Sequence, residues 1–172
     1  TGVNKDFSFA DAYAPLDFGA RRYCEARVWS YFNMFTDRGE GFLPYIEGKT
    51  NQPMPLYLKA NRKISVQDVK NAMRDHYEGT PLDISKDFGA GPYHTPYRLS
   101  PLSFKVNGQE YFNERPISTQ QSGFVFVSQM RSTMPDAIGG VLWFGTDDAN
   151  MTVFTPVYCL SLIHISEPTI HL

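Results

Sequence analysis

The sequence predicts an α+β domain in which helices precede a mostly antiparallel sheet. Apolar residues recur at helical spacing in the first half of the chain, and strand-like segments separated by turn signals follow from Ser103 onward. The 172 residues fit one domain, and 42% hydrophobic residues supply enough apolar surface for a core.

Charge and apolar patterning exclude several classes of protein. The 16 basic and 18 acidic residues are well mixed, and no basic stripe indicates nucleic-acid binding. No apolar segment is long enough to cross a bilayer, so we expect no membrane partner. The first residues lack the pattern of a signal peptide and there is no initiator Met, so we expect an internal gene fragment. The sequence indicates neither a compartment nor an oligomeric state, and a homo-oligomer stays open.

The first helix is predicted over residues 19–35, with Asp17 as its N-cap. The apolar face is expected to hold Ala20, Cys24, Val28, Tyr31, Phe32 and Phe35. Cys24 is therefore predicted to be a buried, inert thiol. The Gly- and Pro-rich segment 36–62 is predicted to connect elements, with short extended pieces at 42–46 and 56–58.

A second helix is predicted over residues 65–77. Ser65 and Asp68 form a capping-box pattern, and Gly79 suits the left-handed position after the last turn. The apolar stripe is Val66, Val69, Met73 and Tyr77.

This helix would end in the segment RDHYEGT, Arg74–Thr80. Arg74 and His76 suit the negative end of a helix, whereas Asp75 and Glu78 do not. The two carboxylates are therefore expected to have a specific partner, either Arg74 or a neighbouring arginine. A Pro- and Gly-rich loop over 81–101 follows.

The second half contains the strand signals. Asn107 and Gly108 predict a tight hairpin between SFKV and QEYF. The segment 123–130 is almost continuously apolar, so it is predicted to be covered on both faces. Segments 139–146 and 150–158 are predicted to form another antiparallel hairpin.

Motifs for known chemistry are absent from the sequence. The only two cysteines, Cys24 and Cys159, form no CxxC pair, and no HExxH motif indicates a metal. Ser118 and Ser122 lack the GxSxG context of a nucleophilic serine. Asp147 and Asp148 are adjacent, so they do not face each other across a sugar as glycosidase carboxylates do. Residue types and spacing alone thus indicate no reaction.

The C-terminal segment differs in character from the rest. Over ten consecutive residues, LSLIHISEPT (160–169) resembles the translation of a transposon-type sequencing adapter. We therefore expect residues 1–159 to be native and 160–172 to be a non-native tail. His164 and His171 are left out of every site for this reason.

Several segments together resemble the dipeptidase A family of cysteine Ntn-hydrolases, relatives of secernin and, more distantly, of bile-salt hydrolases and penicillin V acylase. The most specific are RDHYEGT and the spacing R-x-x-x-P-x-x-I-G-G-V-x-W-F-G from Arg131 to Gly145. The matching segments are 7–13, 20–35, 64–83 and 114–158.

The resemblance implies an αββα sandwich that hydrolyses dipeptides with a mature N-terminal cysteine. The thiol would be the nucleophile and its own α-amino group the base, without a metal or organic cofactor. Cys24 lies within a predicted helix and Thr1 does not open a predicted strand, so the nucleophile is expected outside this chain. We therefore expect the fragment to be inactive alone.

Candidate substrate-pocket residues are Arg74, Asp75, His76 and Arg115, with ion pairing or solvation as the simpler interpretation of each. Two other functions stay open. A large apolar cavity near Tyr23, Trp29 and Tyr31 would favour an amidase for N-acyl amides, and a small charged one would favour dipeptides. A concave, exposed aromatic platform with no cleft near Arg74 or Arg115 would favour a non-catalytic binding module.

Overall fold

The computed structural model describes residues 12–13, 17–87, 89–97, 103–112 and 114–158. The chain divides into two compact units. The first unit comprises Thr1–Ile64 and Asp75–Ile117, and the second comprises Ser65–Arg74 and Ser118–Leu172. Helices together with antiparallel strands confirm the predicted α+β class.

The first unit contains an almost continuous helical segment. Helix α1 (Phe18–Ala20) leads through a π-helical turn (Arg21–Glu25) into α2 (Ala26–Phe35). Asp17 Oδ1 accepts a hydrogen bond from the Ala20 amide at 2.7 Å, which confirms the predicted N-cap.

The π-helical turn changes which face of this segment is buried. The amide of Ala26 donates to the carbonyl of Arg21, five residues earlier, so the helical spacing is interrupted there. Helix α2 buries Ala26, Trp29, Ser30 and Phe35. Cys24 is exposed and Val28 is 40% exposed. The prediction of a buried Cys24 and Val28 is therefore wrong.

The segment after α2 is helical where short extended pieces were predicted. A 3₁₀ turn (Glu40–Phe42) runs into helix α3 (Leu43–Ile46), so the extended piece predicted at 42–46 is wrong. Pro44 lies in the first turn of α3, where its missing amide hydrogen costs no helical hydrogen bond. The buried core of the first unit is Ala26, Trp29, Tyr45, Ile46, Tyr77, Leu82 and Ile84.

The first unit also contains a two-stranded hairpin. Strands β1 (Ser103–Val106) and β2 (Gln109–Phe112) pair antiparallel, with Val106 opposite Gln109. Asn107 and Gly108 have positive φ values of 51° and 80°, as a type I′ turn requires. The hairpin predicted from the Asn-Gly pair is confirmed.

The second unit begins with α4 (Val66–Met73), a shorter helix than predicted. The predicted capping box is present: Ser65 Oγ accepts from the Asp68 amide at 3.1 Å, and Asp68 Oδ2 accepts from the Ser65 amide at 2.8 Å. Arg74 is already the C-cap. The predicted extension to Tyr77 is wrong, because Tyr77 has a φ of 64° that no right-handed helix allows.

A three-stranded antiparallel sheet forms the rest of the second unit. Its strands are β3 (Phe124–Met130), β4 (Gly140–Thr146) and β5 (Thr155–Tyr158), in the order β3-β4-β5. A short helix, α5 (Asp136–Gly139), precedes β4. The predicted pairing of the last two strands is confirmed.

Only one face of β3 is buried. Val125 and Val127 pack against Val66, Val69 and Met73 of α4. Phe124 and Phe126 point the other way and are 60% and 49% exposed. The prediction that both faces of this strand are covered is wrong, because the apolar run alternates between the α4 side and an open aromatic face.

Candidate functional site

The signature segment, RDHYEGT (Arg74–Thr80), continues after Arg74 as a turn of the first unit whose first three residues are buried. Asp75, His76 and Tyr77 are at most 6% exposed. Tyr77 and Gly79 both adopt positive φ, 64° and 76°, and the Thr80 amide donates to the Tyr77 carbonyl at 3.1 Å. A bulky residue in the left-handed region is strained, and such strain is often found at functional sites.

Asp75 is the buried carboxylate of this turn. Its Oδ2 accepts a hydrogen bond from Ser30 Oγ of α2 at 2.7 Å, and its Oδ1 accepts from the Tyr77 amide at 3.1 Å. Burial raises the pKa of Asp75 above its ordinary value, while the Ser30 hydrogen bond opposes that rise. Among the described residues the expected arginine partner is found for neither Asp75 nor Glu78, and that prediction is wrong.

His76 pairs with Glu78 across the turn. Glu78 Oε2 accepts from the His76 amide at 2.7 Å, and Glu78 Oε1 lies 3.2 Å from His76 Nδ1. Burial alone would raise the pKa of Glu78, but these hydrogen bonds with the His76 ring and amide lower it.

The imidazole of His76 is buried, and only one of its two nitrogens contacts Glu78. The ring is 1% exposed, and its Nε2 has no hydrogen-bond partner among the described residues. A proton on Nδ1 directed at Glu78 would leave Nε2 as an acceptor, the form in which imidazole serves as a base. The ring meets Tyr97 edge-on, with centroids 5.9 Å apart.

Arg115 is linked to the same turn through its backbone. Its carbonyl accepts a hydrogen bond from Tyr77 Oη at 2.7 Å. Its side chain is exposed, with the guanidinium 5.9 Å from the Tyr23 ring centroid. The preceding Glu114 is buried and forms an ion pair with Arg22. Three of the four candidates, Asp75, His76 and Arg115, thus belong to the first unit and lie beside Tyr77.

The fourth candidate, Arg74, belongs to the second unit. Its Nε and Nη2 donate to the carbonyls of Ala149 and Thr152, at 3.0 and 3.1 Å. Its guanidinium also lies 4.9 Å from the centroid of the Phe154 ring. Arg74 therefore holds together the chain that leads from β4 to β5.

A second buried polar pair was not predicted from the sequence. Ser118 and Asp148 are both 2% exposed, and the Ser118 hydroxyl donates to Asp148 Oδ1. Asp148 Oδ2 is buried without a hydrogen-bond partner among the described residues. The neighbouring Asp147 is exposed, so the two aspartates lie in different environments. The adjacent aspartates are visible in the sequence, but they do not predict that Asp148 pairs with Ser118, because the two residues are 30 positions apart.

An open cleft with a volume of about 380 Å³ lies in the first unit. Its lining residues are Asp37, Arg38, Gly41, Phe42, Tyr45, Thr50 and Gln52. Asp37 and Arg38 bring one charge of each sign to this cleft.

The described part of the chain also bears on metal binding and on membrane insertion. Within it, no group of three or more His, Cys, Asp or Glu side chains could hold a metal ion. No helix there is both long and apolar enough to cross a bilayer.

Comparison with known proteins identifies the family. The family model of Peptidase family C69 matches residues 1–164. A probable dipeptidase of Salmonella dublin is 29% identical over 155 residues, covering 89% of this chain and 30% of that protein. Probable dipeptidase B of Lactococcus lactis subsp. lactis (strain IL1403) is 33% identical over 126 residues, covering 72% and 23%. Dipeptidase A of Lactobacillus helveticus is 29% identical over 136 residues, covering 79% and 24%.

The chain spans less than a third of the length of these relatives. None of the solved structures compared with the chain matches it. The match of the family model over nearly the whole sequence, together with the relatives, confirms the resemblance to dipeptidase A. The chain belongs to Peptidase family C69.

Proposed function

We propose that the chain is part of a cysteine-type Ntn dipeptidase, which hydrolyses the amide bond of dipeptides. The observation that carries this proposal is the family match over residues 1–164, joined by relatives whose names are those of dipeptidases. The activity is proposed for a longer protein, since this chain spans 30% or less of those relatives.

The proposed nucleophile is an N-terminal cysteine that lies outside this chain. Its thiolate would attack the peptide carbonyl, expel the amine of the C-terminal residue and leave an acyl-enzyme, which water then hydrolyses. Cys24 does not suit this role, because it lies in the π-helical turn between α1 and α2 and its amino group is part of a peptide bond. Cys159 lies outside the described residues. We therefore propose that the chain alone is inactive.

Substrate contacts are proposed for Asp75, His76 and Arg115, with Arg74 as a further candidate. Asp75 is a buried carboxylate with a raised pKa, and the next residue, His76, has a buried Nε2 without a partner among the described residues; both features support this segment, since perturbed titrating groups gather at functional sites. The strained φ of Tyr77 also supports a functional role for this segment, since backbone strain often occurs at functional sites. The hydrogen bonds of Arg74 to two backbone carbonyls support a structural role for that residue equally well.

Two alternative functions remain in view. An Ntn amidase for N-acyl amides would need a large apolar cavity near Tyr23, Trp29 and Tyr31. The cleft described above is lined by none of these residues, and its Asp37 and Arg38 favour small charged substrates. A non-catalytic binding module is favoured by the open aromatic face of β3 and β4, where Phe124 stacks on Phe126 and Phe144 with centroids 6.4 and 6.1 Å apart.

The test compares this chain with the longer open reading frame that contains it. Both proteins are assayed against unblocked dipeptides and against N-acyl amides. We expect hydrolysis of dipeptides by the longer protein only, abolished when its N-terminal cysteine is replaced by alanine. Dipeptide cleavage by the chain alone that is lost on Cys24→Ser or Thr1→Ala would overturn the proposal.

A further inference from the structure

We propose that the open cleft of the first unit is a subsite for the two charged ends of a dipeptide. Arg38 would bind the carboxylate and Asp37 the ammonium group, with Phe42 and Tyr45 beside the substrate's side chains. This assignment rests on the proposed dipeptidase function, and it names residues outside the signature turn.

The walls of the cleft are held in place by hydrogen bonds from the helical segment. Trp29 Nε1 of α2 donates to the carbonyl of Gly39 at 2.9 Å, in a buried position. A side chain at Gly39 would place its Cβ 2.3 Å from the Asn33 Cα, so this close approach requires glycine. The wall that carries Asp37 and Arg38 is thus fixed against α2.

A second part of the cleft lining, at Thr50, is held by Arg21. Its Nη1 donates to the Thr50 carbonyl at 3.0 Å, and its Nη2 donates to Asn51 Oδ1 at 2.8 Å. The guanidinium also lies 4.8 Å from the centroid of the Tyr45 ring, which lines the cleft as well. A cleft whose lining is held in two places loses little conformational freedom when a ligand enters, and this favours binding.

The charged side chains of Asp37 and Arg38 can still form hydrogen bonds with a ligand. Asp37 Oδ1 accepts from Asn61 Nδ2 at 2.7 Å, which orients the carboxylate, and the Asn61 amide donates to the Phe35 carbonyl at 3.0 Å. The Arg38 guanidinium lies 6.0 Å from the Phe42 ring centroid and forms no ion pair with another described residue. A guanidinium suits a carboxylate because it can donate two parallel hydrogen bonds.

The arrangement of charges favours a dipeptide over a ligand with a single charge. The cleft's volume of about 380 Å³ lies at the lower end of the range of ligand pockets, roughly 300–1,000 Å³. A dipeptide carries an ammonium group at one end and a carboxylate at the other, and the cleft lining offers one side chain of each opposite charge, Asp37 and Arg38. A small zwitterion can therefore meet both charges at once, whereas a fatty acyl chain would leave them unpaired.

The experiment measures binding of glycyl-phenylalanine to the full 172-residue chain by nuclear magnetic resonance titration. N-acetyl-glycyl-phenylalanine and glycyl-phenylalanine amide are titrated in parallel, since each lacks one charge. We expect the unblocked dipeptide to shift resonances of the cleft residues, and each blocked form to bind at least tenfold more weakly. Equal binding of all three would overturn the proposal, as would no binding at all.

Substitutions locate the site on the same chain. Arg38→Gln and Asp37→Asn are expected to weaken binding of the unblocked dipeptide at least tenfold. Arg62→Gln is the matched control, because Arg62 is also an exposed arginine over an aromatic ring, 5.4 Å from the Phe35 centroid, and does not line the cleft. Undiminished binding by Arg38→Gln would place the dipeptide elsewhere and refute the assignment.

Failure of this inference is distinguishable from failure of the proposed function. If the longer protein hydrolyses dipeptides while the chain does not bind them at the cleft, the subsite is refuted and the function stands. If the chain binds the dipeptide through Arg38 while the longer protein hydrolyses none, the subsite stands and the function is refuted.

Discussion

Ser30 and Asp75, 45 residues apart in sequence, are joined by a buried hydrogen bond of 2.7 Å from the serine hydroxyl to the carboxylate Oδ2. This bond fastens the turn of the signature segment to α2 within the first unit. His76, Tyr77 and Glu78 continue directly from Asp75, so the bond anchors the start of the turn that contains them.

Replacing Ser30 with alanine should remove a donor from a buried carboxylate. We expect the free energy of unfolding to fall by about 1–3 kcal/mol at pH 7, the usual cost of an unsatisfied buried group. Burial already raises the pKa of Asp75 in the folded state, so its contribution to stability decreases as pH rises from the ordinary value of 3.8 through the folded pKa. Loss of the Ser30 hydroxyl should raise that pKa further.

The loss of unfolding free energy in Ser30→Ala should therefore be larger at pH 7 than near pH 4, as measured by urea unfolding at both pH values. Ser128→Ala, at an exposed position of β3, is the control and should change little at either pH. An equal deficit at the two pH values would contradict a role in stabilising the charged carboxylate.

Asp83 should show the opposite pH dependence. Burial would raise its pKa, but hydrogen bonds from Ser85, Lys86 and the Gly79 amide lower it to about 2 from 3.8. Because the folded pKa is depressed, the stabilisation is present above 3.8 and is lost as pH falls to about 2.

Asp83→Asn should consequently lower the free energy of unfolding by roughly 2 kcal/mol at pH 7, and the difference should shrink as pH falls toward 2 and below. Lys86→Met is the companion variant, and it should cost less, because the Lys86 side chain is 73% exposed and its ion pair is screened. If Asp83→Asn lowers the free energy of unfolding equally at all pH values, the ionised Asp83 carboxylate does not stabilise the fold.

Arg74→Met should destabilise the second unit. The methionine keeps the apolar stem but leaves the carbonyls of Ala149 and Thr152 without their donors, so we expect a loss of about 2 kcal/mol. Lys70→Met is the control, since Lys70 lies 3.4 Å from the centroid of the Trp143 ring and should cost less, about 0.5–1 kcal/mol. Unchanged stability with a raised KM for dipeptides in the longer protein would show instead that Arg74 binds substrate.

Removal of residues 160–172 should leave stability unchanged, because the segment is proposed to be a non-native tail. The chain ending at 159 is compared with the complete chain by thermal unfolding, and the two midpoints should agree. A clear loss of stability in the shorter chain would show that the tail belongs to the native protein.

The sequence predicted local structure correctly where a few neighbouring residues determine the conformation. The Asn107-Gly108 turn and the capping box of Ser65 with Asp68 are of this kind, since each depends on contacts within four residues. The N-cap Asp17 is another. The α+β class followed from the same short-range patterns.

Positions that depend on distant partners were predicted incorrectly. By spacing, Tyr77 continues the apolar stripe of α4. Its ring instead packs in the core of the first unit, and its positive φ is not helical. Cys24 was expected to be buried, but the π-helical turn shifts the spacing, and no residue pattern announced that turn. The Ser30–Asp75 and Ser118–Asp148 pairs join residues 45 and 30 positions apart, a separation that periodicity does not reveal.

The chain contains two tryptophans, and they are divided between the units. Trp29 is 1% exposed in the core of the first unit, and Trp143 belongs to β4 with the Lys70 ammonium over its ring. Each indole therefore reports on one unit by its fluorescence. Trp29→Phe and Trp143→Phe would make the two emissions separable, and their unfolding curves would reveal whether the units melt together or one after the other.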